Sequence, residues 1–140
     1  MSDRPSARDT EVLVPRLAGL AAVLGTWIFW SGVFFTGFGW IVTNNVIVGA
    51  VIATLAAYTA ARPAGGRLPP LAAPLLIVPL GLWTAAAPFV FEQTMAFPPS
   101  IDLLFWSNIV AGALVALLGA VSVYGSWQLG TTATTGTGGD

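Results

Sequence analysis

Charged residues are absent from three long stretches of the chain, and the apolar pattern within these stretches predicts four helices. The uncharged stretches are residues 17–61, 68–91 and 103–139. About 20 apolar residues in a helix are enough to cross the hydrocarbon core of a bilayer, which is about 30 Å thick. The pattern therefore predicts four membrane-spanning helices, over residues 17–38, 43–61, 71–91 and 103–127.

Breaker residues divide these helices into two pairs. Residues 62–70 combine two arginines with several prolines and glycines, which favours a loop. The end of the chain is rich in Thr and Gly and too poor in apolar residues to order itself. The predicted organisation is an N-terminal tail over 1–16, a helix pair over 17–61, a loop over 62–70, a second helix pair over 71–127 and a disordered tail over 128–140.

The second helix pair repeats residues of the first. In the first helix, Leu24, Gly25, Trp27 and Phe35 recur at one constant offset as Leu80, Gly81, Trp83 and Phe91. In the second helix, Asn45, Gly49, Ala50, Ala53, Leu55 and Ala57 recur at a slightly larger offset as Asn108, Gly112, Ala113, Ala116, Leu118 and Ala120. Because internal repeats reflect repeated structural units, the chain is interpreted as two helical-hairpin repeats.

The repeated residues form a motif: Leu-Gly-x-Trp, a three-residue element four positions after the Trp, then Asn-x-x-x-Gly-Ala opening the next helix. This motif resembles the SPW-repeat membrane proteins, whose three-residue element is Ser-Pro-Trp. The element is Ser31-Gly32-Val33 in the first copy and Ala87-Pro88-Phe89 in the second, so one copy keeps the Ser and the other the Pro. The resemblance covers most of residues 24–120. It implies two helices per repeat and brings no known activity, substrate or cofactor.

The composition is typical of a membrane protein and excludes most catalytic chemistry. Hydrophobic residues make up 56% of the chain and charged residues 8%, against about 25% charged in soluble domains. Without Cys or His, the chain lacks thiolate nucleophiles, imidazole bases and the commonest transition-metal ligands. A net charge of −1 offers no basic surface to nucleic acid. We expect no catalytic site, no cofactor and no metal, with the lipid bilayer as the surrounding partner.

The basic residues predict the orientation of the chain. Arg4, Arg8 and Arg16 precede the first span, Arg62 and Arg67 lie between the second and third, and the other two connections contain none. Basic residues accumulate on the cytoplasmic side, so both termini and the central loop are predicted there. The predicted fold is an all-α integral membrane four-helix bundle in the cell membrane. Its two hairpin repeats would be parallel, related by a pseudo-twofold axis along the membrane normal.

Small residues four apart mark one face of the second helix in each copy. Residues with this spacing share a face, which would form a smooth groove for another helix backbone. We favour packing within the monomer, since both copies carry the groove, over an interface between copies of the chain. The predicted helix-packing residues are Gly49, Ala53, Ala57, Gly112, Ala116 and Ala120.

Asn45 and Asn108 form a polar pair at matching positions of the two copies. An amide within a span costs free energy unless it is hydrogen-bonded. We expect each Asn to cap its own helix or to bond carbonyls that Gly32 and Pro88 leave free in the preceding helix. A ligand for a substrate or an ion is the alternative.

Tryptophans occupy two kinds of position. Trp27 and Trp83 match between copies at the middle of the predicted spans, where we expect packing and an indole N–H bonded to a neighbouring carbonyl. Trp40, Trp106 and Trp127 lie near span ends and fit the aromatic belts of a membrane protein.

The sequence favours a non-catalytic membrane module, either structural or an accessory subunit that presents an apolar face to a membrane partner or to a second copy. One alternative is a small transporter or oligomeric channel. The polar residues available to line a path are Thr26, Ser31, Asn45, Thr54, Thr84 and Asn108. The other alternative is a pocket for a lipid, quinone or carotenoid, lined by Phe29, Trp30 and Phe34.

The predicted orientation can be tested with single cysteines in this cysteine-free chain. Because every Arg lies on the side of the central loop, an impermeant thiol reagent should label intact cells that carry Ala96→Cys but not those that carry Gly65→Cys. Labelling at Gly65 and not at Ala96 would contradict the predicted orientation and indicate the opposite one.

Overall fold

The computed structural model describes residues 7–36, 39–91 and 100–136, and this part of the chain is helical apart from Gly39 and a loop over residues 66–71. The helices are α1 (Ala7–Thr36), α2 (Trp40–Ala61), α3 (Ala72–Phe91) and α4 (Ser100–Gly136), with a short 3-10 turn over Arg62–Gly65. The described residues contain no strand. The predicted all-α four-helix bundle is confirmed.

The outer helices are longer than the sequence indicated. α1 begins at Ala7, inside the predicted N-terminal tail, and α4 continues to Gly136, through most of the predicted disordered tail. The N-terminal extension packs on α4, where a Cβ atom at Gly125 would lie 2.5 Å from Val14 Cγ2. Composition alone does not reveal this contact, because the contact needs only a few small and apolar residues from each helix.

Hydrogen bonds also support the end of α4. The hydroxyls of Thr131 and Thr132 donate to the carbonyl oxygen of Gln128 at 2.9 and 2.6 Å, and Leu129 is buried. The predicted disorder of residues 128–136 is therefore wrong, while residues 137–140 lie outside the described part of the chain.

Helix α2 begins at Trp40, three residues before the predicted start of the second span at residue 43. Gly39 precedes the first residue of α2 with φ of 125°, a backbone conformation that residues with a Cβ atom rarely adopt. Helix α2 then begins at Trp40, so Asn45 lies inside it. Residues 37–38 lie outside the described part of the chain, as do residues 92–99, which form most of the third connection.

Each helix packs mainly on two neighbours. Helix α1 contacts α2 and α4, and α3 contacts the same two helices. The pairs α1 with α3 and α2 with α4 therefore face each other diagonally. Seven buried apolar residues close the middle of the bundle: Ala21, Ile28, Ile52, Ala56, Ile77, Ala111 and Val115.

On each helix, the residues that face the centre of the bundle are spaced alternately three and four apart. On α2 the buried residues are Asn45, Gly49, Ile52, Ala56 and Thr59. This spacing is typical of helices that cross at a shallow angle in four-helix bundles. The line is built from small and polar residues as much as from apolar ones.

The predicted small-residue groove follows this line only in part. Gly49 and Gly112 are buried, as is Ala116, and Ala53 is half-buried, whereas Ala57 and Ala120 are exposed. Ala56 and Gly119 take the inward positions instead. Seven residues bring a helix back to within about 20° of the same direction, but eight overshoot by about 80°.

The buried glycines bring helix backbones into direct contact within each hairpin. A Cβ atom at Gly49 would overlap the backbone of Phe29 and lie 2.7 Å from the carbonyl oxygen of Gly25. In the second hairpin, a Cβ atom at Gly112 would lie 2.5 Å from the backbone nitrogen of Ala85 and 2.6 Å from the carbonyl oxygen of Gly81. Both contacts join the two helices of one hairpin.

Enlarging Gly112 should therefore destabilise the bundle. Gly112→Ala forces a methyl group against the backbone of α3, and overpacking of this kind costs about 1–3 kcal/mol. We expect a lower melting temperature in detergent. Gly19→Ala is the matched control, because a Cβ atom at Gly19 meets no atom within 4 Å. Equal melting temperatures for both variants would contradict the packing role of Gly112.

Candidate functional site

Asn45 and Asn108 join the diagonally opposed helices α2 and α4 at the centre of the bundle. Asn45 Nδ2 donates to Asn108 Oδ1 at 2.8 Å, and Asn108 Nδ2 donates back to Asn45 Oδ1 at 3.0 Å. Both side chains are fully buried. The helix-capping interpretation is wrong because Asn45 lies more than one turn inside α2, where its amide meets a side chain and not the helix start.

The surroundings of the amide pair are adapted to it. Asn44 Nδ2 lies 3.3 Å from Asn45 Oδ1, which therefore accepts from two amides. On α1, a Cβ atom at Gly32 would lie 3.0 Å from the Cβ atom of Asn45 and 3.2 Å from the carbonyl oxygen of Val42. The absence of a side chain at Gly32 lets α1 approach α2 at the level of the pair.

Two tryptophans add hydrogen bonds between the hairpins. Trp27 Nε1 on α1 donates to Ser107 Oγ on α4 at 2.8 Å, and Trp83 Nε1 on α3 donates to Asn44 Oδ1 on α2 at 2.7 Å. The acceptors are side chains of the other hairpin and not the carbonyls we expected. The two bonds are equivalent in the sequence repeat, because Trp27 matches Trp83 and Asn44 matches Ser107.

The two variants of the three-residue motif element have the same burial pattern. Ser31 and Ala87, at the first position, are almost fully buried, and so are Gly32 and Pro88 at the second. Val33 and Phe89, at the third position, are exposed. Ser31 Oγ donates to the carbonyl oxygen of Ile28 at 2.9 Å. Pro88 lies inside α3, which ends three residues later, at Phe91.

The polar residues considered for a transport path do not form one line. Thr26 and Thr54 are exposed, and their hydroxyls donate to the carbonyl oxygens of Ala22 and Ala50, one turn back on their own helices. Thr84 is buried but bonds the carbonyl oxygen of Leu80 in the same way, at 2.9 Å. Asn45 and Asn108 are the two members of this set that bond each other.

An open groove of about 500 Å³ lies on the outer surface of α1, lined by Trp27, Trp30, Ser31 and Phe34. Trp30 and Phe34 stack with ring centroids 5.6 Å apart. Phe29, which we expected in such a pocket, packs edge-on against Trp30, with centroids 5.2 Å apart, but does not line the groove.

Exposed aromatic residues on α2 and α4 fit two belts. Trp40 and Tyr58 on α2 are exposed, and so are Trp106 and Tyr124, which have the same separation on α4. At a rise of about 1.5 Å per residue this separation is ~27 Å, close to the thickness of a hydrocarbon core. Trp and Tyr are enriched at membrane interfaces, where the ring is apolar and the polar atom meets water.

These features define a class of protein. All four helices are long and apolar enough to cross a membrane, with candidate spans Arg8–Phe34, Trp40–Gly65, Ala72–Phe91 and Leu103–Ala133. Among the described residues, the buried polar side chains are amides and hydroxyls, with no ionisable group. The fold and the composition indicate a multi-pass membrane protein whose helices are joined by buried polar contacts.

The chain belongs to the SPW repeat family, since the SPW repeat domain matches residues 16–122. The predicted family resemblance is confirmed. No curated protein and no solved structure matches the chain significantly.

The amide pair can be tested by a double-mutant cycle with Asn45→Leu, Asn108→Leu and the double variant. Each single variant leaves one buried amide unpaired, which costs about 1–3 kcal/mol. The double variant should lose less than the sum of the two. Interhelical hydrogen bonds in membranes average about 0.6 kcal/mol, so two bonds give a coupling of about 1 kcal/mol in the free energy of unfolding in mixed micelles.

Thr54→Val is the control for this cycle, because its exposed hydroxyl bonds only its own helix. It should leave the free energy of unfolding almost unchanged. Strictly additive effects of the two Asn substitutions would show that there is no coupling free energy between the two side chains.

Proposed function

We propose that this protein is a non-catalytic membrane module that acts as a structural or accessory subunit through its apolar outer face. The observation that carries the proposal is the closure of the Asn45–Asn108 pair on itself. Amides that bind a substrate or an ion point their oxygens and N–H groups toward it, whereas these amides satisfy each other at 2.8 and 3.0 Å. The polar centre therefore stabilises the contacts between the helices.

The two hairpins are proposed to cross the membrane in the same direction, with both termini and the loop after α2 on the cytoplasmic side of the cell membrane. Contacts at the ends of the helices support this arrangement, since the first half of α1 meets the second half of α4 where Val14 meets Gly125. The recurrence of the Trp hydrogen bonds at matching repeat positions supports a pseudo-twofold relation between the hairpins.

The outer face supports a role in contacting another membrane protein or a second copy of the chain. On α1, Val23, Trp27, Trp30 and Phe34 are all exposed, and they lie three to four residues apart on one side of the helix. Large aromatic side chains supply contact area with little conformational entropy to lose.

Transport through the monomer is disfavoured by the apolar cluster below the amide pair. Ile52 and Val115 lie two helical turns after Asn45 and Asn108, which places them ~10 Å further along the bundle. Both are fully buried. A solute at the amide pair would meet a layer of packed aliphatic side chains.

A second candidate function, binding of a lipid, quinone or carotenoid, is favoured by the groove on α1. The groove breaks the similarity of the two hairpins, because the second copy has Ala86, Ala87 and Val90 at the positions that match Trp30, Ser31 and Phe34. Only the first hairpin carries the aromatic pair that could stack on a planar or polyene ligand.

The purified protein should produce no flux of Na⁺, K⁺ or H⁺ in liposomes above an empty-liposome control, because its polar centre is sealed. After purification in mild detergent, the protein should elute with a stoichiometric membrane protein partner or as a homo-oligomer. A flux that disappears in folded Asn108→Leu would contradict the proposal. A quinone or carotenoid retained by Trp127→Ala but lost from Trp30→Ala would instead establish the second candidate.

A further inference from the structure

Arg62 and Tyr58 form a paired cation and hydroxyl at the end of α2. Arg62 Nη1 donates to the Tyr58 hydroxyl at 2.7 Å, and the guanidinium carbon lies 5.8 Å from the centre of the Tyr58 ring. Arg62 Nε is buried and has no hydrogen-bond partner. Among the described residues, no carboxylate is in ion-pair contact with this guanidinium.

The pair lies at the depth of lipid headgroups when α2 spans a bilayer. Trp40 at the start of α2 and Tyr58 near its end fit the two edges of a hydrocarbon core, ~27 Å apart. Arg62 follows Tyr58 by one helical turn and directly follows the last residue of α2. Its guanidinium reaches back to the Tyr58 hydroxyl and therefore lies at the edge of the hydrocarbon core, next to the phosphate region.

We propose that Arg62 and Tyr58 form a binding site for the phosphate group of an anionic phospholipid. A guanidinium offers five N–H donors in a planar fork that matches phosphate oxygens. Arg62 Nη1 is bonded to the Tyr58 hydroxyl and Nε is buried, so the remaining N–H groups on Nη1 and Nη2 are the ones that can meet a ligand. The Tyr58 hydroxyl accepts one bond and keeps its own O–H to donate. The fork and the hydroxyl can thus bond two oxygens of one phosphate group, and exposed Arg67 adds positive charge in the following loop.

The fourth helix contains a neutral counterpart of this pair. On α4, Gln128 Nε2 donates to the Tyr124 hydroxyl at 2.8 Å, with the same four-residue spacing and the same kind of exposed Tyr. Arg62→Gln therefore converts the α2 pair into a combination that this protein already accommodates. Gln128→Arg makes the reverse change and should create a second site.

The test is a titration of the full chain in neutral detergent with phosphatidylglycerol, measured by native mass spectrometry. Arg62→Gln should weaken binding of the first lipid about tenfold, equivalent to about 1.4 kcal/mol, because it removes a charge-assisted hydrogen bond to the phosphate. Tyr58→Phe should weaken binding to a smaller extent. Arg16→Gln, which removes the same charge from exposed Arg16, should leave the affinity unchanged, and Gln128→Arg should bind one more lipid.

Three results would overturn the proposal. Equal weakening in Arg16→Gln and Arg62→Gln would show that only net charge matters. Equal binding of phosphatidylcholine, whose ammonium group is repelled by Arg62 and Arg67, would exclude selectivity for an anionic lipid. Displacement of the lipid by an equal concentration of inorganic phosphate would assign the site to free phosphate. If Arg62→Gln lowers the melting temperature, the decisive variant is Gln128→Arg. Failure of Gln128→Arg to bind one more lipid would then contradict the proposed site.

Discussion

Contact between helix backbones at glycine residues is the interaction on which this bundle depends. Within lipid, helices gain little from burying apolar side chains, so association requires close packing and hydrogen bonds between helices. Gly49 against Phe29 and Gly112 against Ala85 supply that packing inside each hairpin. The approach is close enough that a single methyl group would have to displace backbone, and backbone displacement in one hairpin would move every contact that the hairpin makes with the other.

Packing of small residues does not by itself select one alignment of the two hairpins, because neighbouring alignments along a helix also bury small residues. The Asn45–Asn108 pair supplies that selection: a shift by one turn would leave two fully buried amides without partners. Trp27 and Trp83 reinforce the same alignment from the outside, since each indole N–H donates to a side chain of the other hairpin. Polar contacts thus fix the register that the glycines make possible.

The sequence predicted the number, type and order of the helices because long uncharged stretches have few other stable forms. It predicted only in part which side of each helix is buried. Leu and Val occur all around these helices, so apolar periodicity carries little information, whereas the small and polar residues Asn45, Gly49, Ala56 and Thr59 mark the buried side. The amide pair had a detectable signal, since Asn45 and Asn108 recur at the repeat offset. Their two hydrogen bonds run between diagonal helices, whereas the sequence pattern assigned each amide to its own helix or to the preceding one.

The burial pattern of the motif explains how two incomplete copies can build similar hairpins. The first position needs a small side chain: Ser31 satisfies its hydroxyl on its own helix, so Ala87 at the matching position loses only a local bond. The third position is exposed in both copies, at Val33 and Phe89, although Phe89 also packs edge-on against Phe105 of α4 with ring centroids 5.0 Å apart. The two copies therefore differ mainly on the outer surface, which is also where Trp30 and Phe34 distinguish the first hairpin from the second.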